Sequence, residues 1–192
     1  MTDSFGKDAI ATPANAITLG RILLSPLLFW MVLDSHDSWP AVSLWIILSV
    51  TDWLDGYYAR RHGTTRSGAF LDPLADKILV LGTLFVLVAD EKFWLLPVAI
   101  IAVREAAISA YRSVVARQGI TVPARTLAKI KTVAQEVAIG FALLPLTAAH
   151  TWVANSVLWA SVVLTVVSGG QYFLDANRVA DDQLAETDPA SA

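Results

Sequence analysis

The sequence predicts an all-α fold: an integral membrane bundle of six transmembrane helices with a polar cavity open to the cytosol. Three observations carry this prediction. Hydrophobic residues fill 55% of the 192 positions and charged residues only 16%, with a mean hydropathy of +0.55, whereas soluble domains carry about 25% charged residues. Six segments, at about 14–33, 40–59, 69–88, 93–116, 127–147 and 152–174, are long and apolar enough to cross the hydrocarbon. The charges within these segments are confined to one half of each.

Each segment reads as a helix, because a lipid-embedded backbone must satisfy its own hydrogen bonds. The first is not a cleaved signal peptide, since Arg21 interrupts it and no small-residue cleavage site follows. The connections Asp34–Trp39, Ala89–Lys92 and Ala148–Thr151 fall on one side of the membrane. Arg60–Gly68, Arg117–Thr126 and both termini fall on the other. Of the fourteen Lys and Arg residues, only Lys92 lies in a loop on the first side. Positive loops stay in the cytosol, so both termini face inward. Trp39, Trp94 and Trp152 at span ends read as an interfacial belt. Residues 1–13 form a short cytosolic leader, 14–174 the six-helix domain, and 175–192 an acidic, Ala-rich tail expected to be disordered.

The outer halves of the spans, 24–33, 40–50, 79–88, 93–103 and 137–147, contain no Asp, Glu, Lys or Arg. The inner halves hold Arg21, Asp52, Asp55, Asp72, Asp76, Lys77, Arg104, Glu105, Arg112, Lys129, Lys131 and Glu136. Intramembrane charge is expensive and normally faces a bundle interior or a watery cavity. Long lysines can snorkel to the interface, but aspartates are too short to do so.

Asp52 and Asp55 share one helical face with Gly56, Ala59 and Arg60. Gly68, Asp72 and Asp76 recur every four residues on the next helix. The short loop between these helices makes them neighbours, so four carboxylates converge. Like charges so close require protons or cations. Oxygen ligands without His or Cys suit Mg²⁺, Mn²⁺ or Ca²⁺, and four carboxylates can hold two metals. The chain has no cysteine, which excludes disulfides, zinc–thiolate sites and cysteine nucleophiles. His36, His62 and His150 lie apart in loops, so a histidine metal site is not expected. Pro73 is placed in the first turn of the third helix, where its missing N–H costs little.

The run Asp52-Trp-Leu-Asp55-Gly56-Tyr-Tyr-Ala59-Arg60, followed by Gly68-Ala-Phe-Leu-Asp72-Pro-Leu-Ala-Asp76, resembles the signature of the CDP-alcohol phosphatidyltransferases, D-x-x-D-G-x-x-A-R then G-x-x-x-D-x-x-x-D. All eight fixed positions are present. The spacer Arg61–Ser67 has seven residues, one fewer than usual, and the change falls in the connecting loop. The resemblance implies transfer of a phosphatidyl group from CDP-diacylglycerol to an alcohol, with release of CMP. It implies that Asp52, Asp55, Asp72 and Asp76 hold Mg²⁺ or Mn²⁺, two per site, and that Asp76 is also the general base. It assigns Gly56, Ala59, Arg60 and Gly68 to CDP-diacylglycerol. Asn15, Thr18 and Arg21 resemble the opening of the family's first helix.

Arg104-Glu105, Arg112 and Lys129-Ile-Lys131-Thr132 resemble the branch of the family that makes phosphatidylglycerophosphate. The residues point the same way. Arg104 and Arg112, eight apart, share a face of the fourth helix, while Arg125, Lys129 and Lys131 open the fifth. These cations exceed what anchoring requires and suit an acceptor bearing its own phosphate. Glycerol 3-phosphate fits, with its primary hydroxyl as nucleophile. Glu105 and Glu136 are expected to orient those cations. Cardiolipin synthase of the CDP-alcohol type, acting on phosphatidylglycerol, and phosphatidylinositol-phosphate synthase are the alternatives within the family. A divalent-cation transporter is the alternative outside it, but the charge-free outer halves deny it an exit path. The resemblance further implies a homodimer among membrane lipids in a bacterial inner membrane; no nucleic-acid partner is expected. The net charge of −3 conceals a positive membrane body: residues 9–174 carry twelve Lys and Arg against ten Asp and Glu.

Overall fold

The structure is a computed structural model that describes residues 12–36, 38–62, 66–117 and 126–187. Side chains are described there except at Ala14, 54–62, 66–70, 116, 117, Thr126, Ala128, Phe173 and 175–187. The described residues form six α-helices and no strand: α1 (Pro13–Ser35), α2 (Trp39–His62), α3 (Arg66–Ala89), α4 (Leu95–Arg117), α5 (Thr126–Leu143) and α6 (Thr151–Thr187). The segments Asn15–Ser35 and Pro145–Tyr172 are long and apolar enough to cross a membrane. They are only 28% and 39% buried, unlike the core helices of a soluble protein.

The burial pattern of α1 is inverted relative to a helix folded in water. Asn15, Thr18, Arg21 and Ser25 are buried on one face. The same row continues through Leu28 and Val32. Leu19, Leu23, Leu27 and Trp30 are exposed, Leu23 by 73%. In water this arrangement would leave a large apolar stripe unpaid; in lipid the stripe is solvated and the polar row is sheltered. α6 repeats the pattern, with Ser161, Thr165 and Ser168 buried and Val163, Val166 and Val167 exposed.

The chain divides into two compact units. The first comprises residues 1–95 and 136–155. Here α1 packs on both α2 and α3. Thr12 caps α1 by accepting a hydrogen bond from the Asn15 amide at 3.2 Å, with Pro13 in the first turn. Gly82 of α3 lets Phe29 of α1 close in: a Cβ at this position would collide with the ring. Such close approach is how small residues pack membrane helices. At the far end of α3, Glu91 takes a left-handed conformation (φ 60°), and the amides of Lys92 and Phe93 both donate to the Leu87 carbonyl. His36 pairs there with Asp90, and the Asn155 side chain donates to the Lys92 carbonyl at 3.0 Å.

The second unit comprises residues 96–135 and 156–192. Val98, Ile101, Ile108 and Val115 form the buried face of α4. Gln135 of α5 donates to Thr165 of α6 at 3.2 Å, and Tyr111 meets Tyr172 edge to face.

The helices follow the six predicted segments, with three corrections. α5 stops at Leu143, short of the predicted 147, and a 3-10 helix spans Pro145–His150. Pro145 disfavours helical geometry in the residue before it, and Leu144 is extended (φ −72°, ψ 121°). Pro73 lies two turns inside α3, not in its first turn, because the helix begins at Arg66. It therefore removes one internal hydrogen bond. Finally, α6 runs to Thr187, so 175–187 is helix where composition predicts disorder. This stretch has three Ala among its thirteen residues and lacks Gly and Pro until Pro189.

Candidate metal centre

Three helices of the first unit bring carboxylates together. Asp52 follows the buried residues Trp45 and Leu48 along one face of α2. Asp72 and Asp76 stand one turn apart on α3. Glu136 stands one turn before Gly140 on α5, and a Cβ on Gly140 would lie 3.8 Å from the Trp45 ring nitrogen. Asp52, Asp76 and Glu136 each offer an oxygen, and these oxygens all lie within 4.8 Å of one another.

α1 supplies the partners. Arg21, 1% exposed, forms an ion pair through Nη1 with Oδ1 of Asp52. One turn earlier, Thr18 donates through Oγ1 to Oδ1 of Asp72 at 2.8 Å. The polar row of α1 thus holds the first aspartate of the α2 motif and the first of the α3 motif.

Carboxylates this close repel one another. Two unit charges at 4.8 Å repel by ~3.5 kcal/mol at an effective dielectric of about 20. Beside the Arg21–Asp52 pair, a divalent cation would offset that repulsion. The donors are all oxygens, as hard divalent ions require. The residues present therefore fit such an ion.

Of the four predicted aspartates, the structure brings Asp52 and Asp76 together and places Asp72 on Thr18. The Asp55, Gly56, Ala59, Arg60 and Gly68 side chains lie outside the described residues. Glu136 departs from expectation: it joins the aspartates instead of orienting the cations. Its position inside the inner half of a span is the only sequence signal it gives, since spacing along α5 says nothing of how that helix is rotated against α2 and α3.

The cations of the second unit have their own arrangement. Glu105 bridges two of them: it pairs with Lys131, and Arg104 donates to it through Nη1 at 2.8 Å. Nη2 of Arg104 donates to Ser168 of α6 at 2.9 Å. Gly169 makes room for this guanidinium, since a Cβ there would lie 3.1 Å from Nε. Glu105 orients its cations as predicted. Arg112 lies over the Tyr172 ring at 5.6 Å, in cation–π range. Lys129 is exposed, Lys131 is buried, and Arg125 lies outside the described residues.

The family model described as CDP-alcohol phosphatidyltransferase matches residues 11–167. The chain is 42% identical to the CDP-diacylglycerol–glycerol-3-phosphate 3-phosphatidyltransferase of Bacillus subtilis, over 83% of this chain and 92% of the relative. It is 36% identical to a probable phosphatidylglycerophosphate synthase of Mycobacterium tuberculosis, over 90% of this chain and 85% of the relative. It is 37% identical to a CDP-diacylglycerol–glycerol-3-phosphate 3-phosphatidyltransferase of Shigella flexneri, over 87% and 96%. The matched region takes in α1 and the carboxylate helices α2, α3 and α5. With its aspartate motif intact and those helices inside the match, the chain belongs to the CDP-alcohol phosphatidyltransferase family.

Proposed function

We propose that this protein transfers the phosphatidyl group of CDP-diacylglycerol to the primary hydroxyl of glycerol 3-phosphate, giving phosphatidylglycerophosphate and CMP. The observation that carries the proposal is the carboxylate cluster built on the family's aspartates. The names of the relatives from Bacillus subtilis and Shigella flexneri support the acceptor.

In this reading Asp52, Asp55, Asp72 and Asp76 hold Mg²⁺ or Mn²⁺, two ions per site. The metal, when bound, offsets the diphosphate charge and polarises the attacked phosphorus. Arg60 contacts the diphosphate, and Gly56, Ala59 and Gly68 leave room for the nucleotide. The acceptor hydroxyl gives its proton to Asp76 as its oxygen bonds to the phosphatidyl phosphorus. The bond from that phosphorus to the CMP oxygen breaks, and CMP leaves. A carboxylate close to cations is a weak base, so Asp76 requires a hydroxyl already within hydrogen-bond reach. Arg112, Lys129 and Lys131, then Arg104 and Arg125, meet the acceptor phosphate. Thr18 and Arg21 position the aspartates they touch, and Asn15 extends the same buried row.

The six helices cross a bacterial inner membrane, with both termini and the site facing the cytosol, and the protein acts as a homodimer. Residues 14–174 carry the transferase. An acceptor panel tests the proposal. Purified protein with CDP-diacylglycerol and Mg²⁺ or Mn²⁺ receives glycerol 3-phosphate, phosphatidylglycerol or inositol 1-phosphate. CMP release with glycerol 3-phosphate alone, and phosphatidylglycerophosphate as the lipid product, is the expected result. Release with either of the other acceptors alone overturns the assignment.

A further inference from the structure

We infer that Glu136 is a further metal-holding carboxylate of this site, supplied by α5 from outside the aspartate motif. The inference rests on the metal-dependent reading above and adds a residue that the motif does not contain. Asp52 already has the Arg21 guanidinium, and Asp72 accepts from Thr18. Among the described residues, no side chain donates to Glu136. It is half-buried, and its oxygen lies within 4.8 Å of those of Asp52 and Asp76. A carboxylate with no donor, set against two others in a sheltered place, is costly unless a cation joins them. The Arg21 charge is already engaged by Asp52.

The geometry also gives Glu136 a part that the aspartates lack. Asp52 and Asp76 come from α2 and α3, which are joined by one short connection. Glu136 comes from α5, more than 50 residues later in the chain. An ion held by all three ties α5 to the motif helices within the first unit. Metal affinity in oxygen sites rises with the number of charged ligands, so removing this charge weakens binding without touching the motif.

The test is Mn²⁺ binding to the purified full chain in detergent, with no lipid substrate, read by the electron paramagnetic resonance of free Mn²⁺. Glu136→Gln is compared with Asp76→Asn, with Glu105→Gln and with the unmodified chain. Glu136→Gln and Asp76→Asn are each expected to weaken binding tenfold or more, and Glu105→Gln by less than twofold. Melting of the metal-free proteins supplies a second readout. Glu136→Gln removes a repulsion, so its metal-free Tm holds or rises, while the stabilisation by Mn²⁺ shrinks. Binding by Glu136→Gln within twofold of the unmodified chain, with Asp76→Asn weakened, overturns the role of Glu136 alone. A fall in its metal-free Tm, or failure to fold, shows a structural carboxylate and also overturns it. No Mn²⁺ binding by the unmodified chain defeats the metal reading itself, and Glu136 with it.

Discussion

The two units each hold a cluster of charge, and the clusters are compensated differently. In the first, the oxygens of Asp52, Asp76 and Glu136 converge, and Arg21 pairs with Asp52. In the second, Glu105 sits between Arg104 and Lys131, and Ser168 takes up a further guanidinium nitrogen. The first gathers carboxylate oxygens and fits a divalent ion. The second is largely closed on itself, and its more accessible cations are Arg112 and Lys129, both exposed. Charge within these helices alone therefore does not mark a metal site. A convergence of carboxylates does, because a cluster of mixed sign has already recovered much of its desolvation cost.

The sharpest way to break this contrast is Asp76→Asn. At saturating metal it should retain CDP-diacylglycerol binding but lose transfer by ~10³-fold or more, as removal of a general base in contact with metal predicts. Single-turnover CMP release beside equilibrium donor binding separates the two effects. Full activity would remove Asp76 from the chemistry.

The second cluster is tested by neutralising Arg112, Lys129 and Lys131 together. The KM for glycerol 3-phosphate should rise about tenfold or more, with the KM for CDP-diacylglycerol nearly unchanged, as loss of charged phosphate contacts predicts. Equal changes in both constants would count against an acceptor-phosphate role.

Arg21→Met sharpens the difference between the clusters by removing the guanidinium that pairs with Asp52. Loss of one partner of a fully buried pair costs about 3–5 kcal/mol. Asp52 is 35% exposed, so ~2 kcal/mol is the better expectation here. Added Mn²⁺ should restore part of that loss in a thermal melt, since the ion substitutes for the guanidinium. A loss that Mn²⁺ does not touch would show Arg21 to be independent of the metal site.

The smallest effect belongs to Thr18→Val, which deletes one hydrogen bond to a carboxylate, worth ~1.5 kcal/mol. It should weaken metal affinity roughly tenfold with little change in Tm, because Val keeps the shape. Unchanged Mn²⁺ binding would leave Thr18 a structural residue.

The sequence reveals the helices well, because each long apolar segment satisfies its backbone hydrogen bonds internally as a helix. It is less informative where local chemistry competes with length. Pro145 ended α5 early, and an alanine-rich acidic stretch continued α6. Asp52 and Asp76 are legible because their motif sets both spacing and loop length. The partners on α1 are legible only as a motif: that Arg21 meets Asp52 and Thr18 meets Asp72 depends on how α1 lies across two other helices. Glu136 shows the same limit more strongly. Helical spacing fixes which residues share a face, but not which neighbour that face meets.

The convergence of Asp52, Asp76 and Glu136 is read here as a metal-dependent phosphatidyl-transfer site. Its most direct measurement is CMP release from CDP-diacylglycerol and glycerol 3-phosphate by chelator-stripped protein as Mg²⁺ or Mn²⁺ is added back. Release that is absent without metal, saturates with it and disappears in Asp52→Asn is the predicted result. Transfer at full rate by the stripped protein, or in Asp52→Asn, would contradict it.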